Sequence, residues 1–228
     1  QLEDPKLTKT IVKRGVTELV TPGVSLNDEV LQAQSNNFLA ALHFGKQRIG
    51  VSFLDVSTGE FLVSQGDQEY IDKLMQNFAP SEVLVNKPDK AAFRAQFGES
   101  FHSFFLEDWI FKDDFAFEKL TQHFQTITLK GFGIEDLSEG IVAAGAILHY
   151  LSETQHNKLQ HINAIQRISE SAYVWMDKFT IRNLELYHSY NPNAVTLLDV
   201  IDKTLSPMGS RLLKRWLALP LKDLAAIT

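Results

Sequence analysis

The 228 residues include no cysteine. That excludes disulfide staples and thiolate metal sites, and it is compatible with a reducing cytoplasm. Long apolar runs are missing as well. No window approaches the roughly 20 residues that a membrane span requires. The opening QLEDPKLTKT is polar and has no secretory apolar stretch. With no initiator methionine there, and with Ala-Ile-Thr at the other end, the chain reads as a piece of a longer protein. No GxxxxGK[ST] loop is present to cradle a nucleoside triphosphate. The seven histidines form no HExxH and no pair three or four apart. His149, His156 and His161 are seven and five apart, which suits plain surface or half-buried histidines better than metal ligands.

What is present is core-forming material. Hydrophobic residues make up 44% of the chain, enough for one large domain or two small ones. The net charge of -6 is unevenly spread. Residues 29–156 carry 9 basic and 18 acidic side chains, and residues 157–228 carry 9 and 6. The acidic block repels a phosphate backbone. The basic surplus of the last block is too small to argue for DNA.

The periodicity divides the chain. Val16, Leu19 and Val20 before Pro22-Gly23 suggest a short strand, and SLNDEVLQAQSN reads as a linker. FLAALHFG (38–45), RIGVSFLDVSTG (48–59) and EFLVSQG (60–66) read as strands whose short loops favour an antiparallel meander. Helical spacing then appears in 68–80, stopped by Pro80. SEVLVN (81–86) is a buried-strand pattern, and a short helix follows over 88–98 with Pro88 in its first turn. Residues 101–106 are strand-like. DDFAFEKLTQHF (113–124) is helical, with acids at its positive end. The longest helix spans 134–156. Its Gly140, Ala143, Ala144, Gly145 and Ala146 make a surface of small residues, and close packing is expected to offset mid-helix glycine. This order predicts an α/β domain resembling the ribonuclease H-like fold: three antiparallel strands, then alternating helices and strands. A boundary is expected near 157–172, followed by a mainly helical segment from Asp177 onward.

Candidate chemistry is sparse. GFGIED (131–136) departs from GxGxxG at its last position, where Asp136 would repel a pyrophosphate; a glycine turn entering the long helix explains it. A magnesium-dependent nuclease on this fold needs convergent carboxylates. The first strand carries none. Asp55 precedes Ser57-Thr58-Gly59, where a turn role suffices, and Glu69 and Asp72 flank Lys73 on a solvated helix face. LSPMGSRLLKRWLALPL (205–221) offers a Gly-Ser turn followed by Arg211, Lys214 and Arg215. Its spacing is that of an amphipathic helix with Ser206 as N-cap, Pro207 in the first turn and a stop at Pro220. Leu212, Leu213 and Trp216 are expected to anchor that helix to a core, with Gly209-Ser210 allowing close approach. DNA binding through the three cations is a weaker alternative.

Several separated segments carry a family resemblance. SPMGSRLLKRWLALPL resembles the opening of the core (lever) domain in the MutS family of mismatch-recognition ATPases, as do DKFTIRNLELY (177–187) and TLLDVIDKT (196–204), in family order. DPKLTKTIVKRGVTELVTPG (4–23) is similar to the exit from that family's mismatch-binding domain. LDVSTGEF (54–61) and KGFGIED (130–136) are similar to its connector domain. The resemblance implies the tail of a mismatch-binding domain in 1–22, a linker in 23–35, a ribonuclease H-like connector in 36–156 and the start of the core/lever domain in 157–228. It implies a non-catalytic piece without catalytic, cofactor or metal residues of its own. The mismatch-reading Phe-x-Glu element and the ATPase domain would lie elsewhere, and ATP and magnesium would belong to the whole protein. The implied partners are a MutL-type protein, the remaining MutS domains, a second MutS subunit and, through the whole protein, mismatched duplex DNA. The implied location is the bacterial cytoplasm, at the nucleoid when acting on DNA, with no membrane role. The outward face of helix 113–124, with Asp114, Glu118, Lys119 and Gln122, is the candidate partner contact. Pro207, Gly209, Leu212, Leu213 and Trp216 mark the lever helix. The alternative function is a ribonuclease H-like nuclease acting with magnesium.

Overall fold

The structure, a computed structural model, describes residues 21–24, 36–154, 159–187, 189–191 and 193–227. The strand suggested before Pro22 and the linker over 25–35 lie outside the described residues.

The meander forms as its alternation requires. Strands β1 (Phe38–Phe44), β2 (Ile49–Asp55) and β3 (Glu60–Gly66) pair antiparallel, with Phe38 opposite Asp55 and Leu54 opposite Phe61. Helix α1 (Gln68–Phe78) starts at Asp67, whose carboxylate accepts from the Tyr70 N–H at 2.8 Å. It stops one residue before Pro80, where Ala79 takes a left-handed conformation at φ 42. Strand β4 (Glu82–Asn86) then enters parallel to β1, and α2 (Lys90–Phe97) leads to β5 (Ser103–Leu106), parallel to β4. Helix α3 (Asp113–Phe124) and the longest helix, α4 (Ser138–Thr154), follow.

The chain then returns to the sheet. Strand β6 (Gln166–Arg167) pairs parallel to β3, giving the order β5-β4-β1-β2-β3-β6. This strand falls in the expected boundary region, where the polar sequence gave no strand signal. Ile162, Ile165 and Ile168 are buried beside it and tie the segment to the α/β unit.

The period of two sorts side chains between two cores. Leu39, Ala41, Leu54, Phe61, Val63 and Leu84 face α3 and α4. Phe38, Ala40, Leu42, Val51, Phe53 and Leu62 face α1 and α2. Small residues let α4 lie close to the sheet. A Cβ on Gly140 would meet the Val63 side chain at 2.8 Å, and one on Gly145 would meet Ala116 at 2.5 Å.

Beyond the sheet the chain is built of short helices: α5 (Lys178–Asn183), α6 (Leu197–Ile201), α7 (Pro207–Ala218) and α8 (Leu224–Ile227). Side chains cap three of them. Asp177 accepts from Thr180 N–H, Thr196 and Asp199 form a reciprocal capping box, and Ser206 accepts from Gly209 N–H at 3.2 Å. Such caps stabilise by about 0.5–2 kcal/mol each. Helix α7 therefore starts as its sequence requires.

The apolar stripe of α7 is not buried within the described residues. Trp216 is 63% exposed and Leu212 is 42% exposed, while Leu213 is half-buried. The residues that bury are Ser210, Ala218 and Leu219. Ser210 Oγ donates to Asp202 at 2.5 Å, and Arg215 pairs with Glu60 at the start of β3. The helix thus turns its basic and small-residue side to the α/β unit and leaves the apolar stripe outward. Spacing defines a stripe but does not choose which side of the helix meets its neighbour.

Candidate docking surface

Helix α3 packs through Ala116 and Leu120, with Phe115 and Phe124 half-buried against the core of α4. Its opposite side carries Asp114, Glu118 and Gln122, all exposed. Lys119 is half-buried, with its Nζ 5.6 Å from the centre of the Phe115 ring. The structure thus places three of the four expected contact residues fully on the surface and the fourth along its edge. Phe117, which fits a single buried face poorly, is 42% exposed between them.

Sequence reasoning missed a neighbouring residue. A short 3-10 turn, Asp108–Phe111, holds Trp109 at the surface with 52% exposure. Its ring meets Phe115 edge-on at 5.0 Å and His149 of α4 at 5.1 Å. The His149 Nδ1 is buried without a hydrogen-bond partner among the described residues. Burial, aided by the Lys119 charge, lowers the pKa of this imidazole below its ordinary value. The ring forms part of an aromatic wall with Trp109 and Phe115. The available signal was the paired apolar residues in DWIF, a stretch too short for a periodicity argument. Exposed aromatics beside acids make a surface suited to a protein partner carrying basic and apolar groups.

The carboxylates a nuclease would need are otherwise engaged. Asp55 is buried and accepts from Asn36 Nδ2 at 2.8 Å, Ser57 Oγ at 2.6 Å and the N–H groups of Ser57 and Thr58 at 3.0 and 3.3 Å. Glu60 takes Arg215 and Asn36. Glu82 accepts from Thr21 Oγ1 at 2.5 Å, Gly23 N–H at 3.1 Å and the Tyr150 hydroxyl at 3.1 Å. Glu69 pairs with Lys73 at 2.7 Å along the surface of α1. Among the described residues no group of three His, Asp or Glu side chains is arranged to hold a metal ion. The GFGIED stretch forms the turn into α4, with Gly133 at φ 67 and Asp136 held by Arg167 at 2.7 and 2.8 Å. No helix among the described residues is long and apolar enough to cross a membrane.

The fold and its surfaces define a mixed α/β domain with a six-stranded sheet, continued by a run of short capped helices. Two family models match the chain, MutS domain II over residues 37–163 and MutS domain III over 179–228. The chain belongs to the MutS family of DNA mismatch repair proteins. It is 78% identical over 223 residues to the DNA mismatch repair protein MutS of Flavobacterium johnsoniae, covering 98% of this chain and 26% of that one. The MutS proteins of Flavobacterium psychrophilum and Cytophaga hutchinsonii are 74% and 60% identical over 227 residues, covering 100% of this chain and 26% of each. The chain thus spans about a quarter of the length of these relatives. Among solved structures, a fowlpox virus resolvase with Holliday junction DNA aligns at a TM-score of 0.35 and 10% identity, over 50% of this chain and 98% of that one; so slight a likeness carries no weight here.

Proposed function

We propose that this chain is the connector and lever portion of a mismatch-recognition ATPase, and that it passes conformational change between the mismatch-binding and ATPase regions while helping to dock a MutL-type partner. The tail of the mismatch-binding domain occupies 1–22 and a linker 23–35. The connector, a non-catalytic domain of ribonuclease H-like type, occupies 36–156, and the lever begins in 157–228. ATP and magnesium act in the whole protein, as do the second subunit and mismatched DNA, in the bacterial cytoplasm and at the nucleoid.

The observation that carries this reading is the juxtaposition of two adjoining MutS domains with a surface of exposed acids and aromatics on α3. The acidic excess of residues 29–156 disfavours direct DNA contact there and favours a protein partner. The lever helix begins at Pro207 and Gly209, and its outward Leu212 and Trp216, with half-buried Leu213 beside them, are the surface offered to the rest of the core.

Charge reversal tests the docking half of this reading. Glu118→Lys should weaken capture of a MutL-type protein by about tenfold, the scale of a lost complementary contact. Capture equal to that of the unaltered chain refutes it. Cleavage of duplex DNA or an RNA–DNA hybrid by the chain with magnesium would refute the non-catalytic half.

A further inference from the structure

A cleft of about 290 Å³ lies between the end of α1 and helix α7. Its lining includes Arg211, Lys214 and Arg215 but no carboxylate, although the chain as a whole is acidic at -6. Arg215 is neutralised by Glu60. Lys214 is half-buried, and no carboxylate among the described residues pairs with it; the Tyr187 ring lies 5.7 Å from its Nζ. Burial alone pushes the pKa of this ammonium below its ordinary value. Asn36, Gln76 and Asn77 add neutral polar groups to the lining.

A half-buried ammonium with no carboxylate partner among the described residues carries a desolvation cost in this cleft. A ligand relieves it if it is anionic and offers acceptors in several directions. A tetrahedral phosphate does so, and guanidinium groups match its oxygens in a bidentate manner. A bare phosphate underfills the space. Phe38 and Tyr187 supply aromatic walls for a further, less polar body, and the volume is near the lower end of small-molecule clefts. Burial also pushes the Tyr187 hydroxyl up to about 12, so it stays protonated near neutral pH. Duplex DNA fits the arrangement less well, because the cations line a cleft instead of a surface open to several successive phosphates.

We propose that this cleft binds a small phosphate monoester of mononucleotide size, with its phosphate on Lys214 and Arg211 and its body against Phe38 and Tyr187. The chain has no triphosphate-binding loop to confuse the assay.

The test is calorimetric titration of the 228-residue chain with deoxyadenosine monophosphate and with inorganic phosphate at constant ionic strength. The monophosphate should saturate one site and bind more tightly than inorganic phosphate. Lys214→Met should weaken it by about tenfold, the loss expected for one charge-assisted contact. Lys46→Met, at an exposed position outside the cleft lining, should leave it unchanged. A second readout needs no variant: the monophosphate should raise the melting temperature of the unaltered chain, and adenosine should not. Absence of saturation, equal loss in both lysine variants, or equal thermal shifts with monophosphate and adenosine would each overturn the proposal. So would tight duplex DNA binding that displaces the monophosphate and is lost in Lys214→Met, since it would assign the cleft to nucleic acid.

Discussion

At the scale of single residues, burial decides what each side chain contributes. Glu82 is the buried acceptor that holds Thr21, Gly23 and Tyr150 together. Glu82→Ala strands three donors and should destabilise the chain by roughly 2–3 kcal/mol, read as a lower urea midpoint; an unchanged midpoint contradicts that role. Trp216 makes the opposite case. Its outward ring means that Trp216→Ala should cost less than about 1 kcal/mol, whereas Leu74→Ala in the core should cost about 2–5 kcal/mol. Comparable losses would place Trp216 inside. Titration follows the same rule. Burial is the largest cause lowering the pKa of both His43 and His149 below 6.5. Below pH 6.5 the unfolded chain therefore binds more protons than the folded one, so these histidines remove stability as pH falls. Burial raises Glu60 and Glu139 above 4.5, which acts in the opposite sense but in a lower pH range. The melting temperature should fall between pH 7.5 and 5.5, and by less in His149→Gln. A flat profile contradicts this assignment.

At the scale of elements, what was legible depended on how local the signal was. The meander, α1 and β4 follow from residue spacing and turn chemistry, and α3 has the bounds its pattern gives. Ser206 and Pro207 start α7 for the same local reason. Strand β6 was illegible because its two residues, Gln166 and Arg167, are exposed and carry no alternation. Its existence depends on the free edge of β3, which is a tertiary fact. The orientation of α7 was hidden for a related reason: an ion pair from Arg215 to Glu60, 155 positions earlier, has no sequence signature. On α3 the acids were legible from the helical period, but Trp109 enters that surface from a neighbouring 3-10 turn. Close packing of α4 yields a further expectation. A Cβ on Gly50 would lie 2.0 Å from the Glu139 carbonyl oxygen, so Gly50→Ala must displace backbone. The loss should be about 1–3 kcal/mol on the scale of overpacked cores, and an unchanged melting temperature would mean that α4 does not sit this close.

At the scale of the molecule, an α/β sheet domain and a run of capped helices are joined by β6, by the Arg215–Glu60 pair and by a bridge between Tyr173 and Leu221. The arrangement also buries Ile181, Ala218 and Leu219. It leaves two surfaces with different characters: the acidic, aromatic side at α3 and Trp109, and the apolar stripe of α7. Under the proposed function the first surface meets a MutL-type partner and the second meets the rest of the core. The most direct test is site-specific photo-cross-linking of the chain to a MutL-type protein from position 122 on α3, with position 94 on α2 as the opposite-side control. The account predicts adducts from position 122 and none from position 94. Equal yields from both positions, or adducts from position 94 alone, would contradict it.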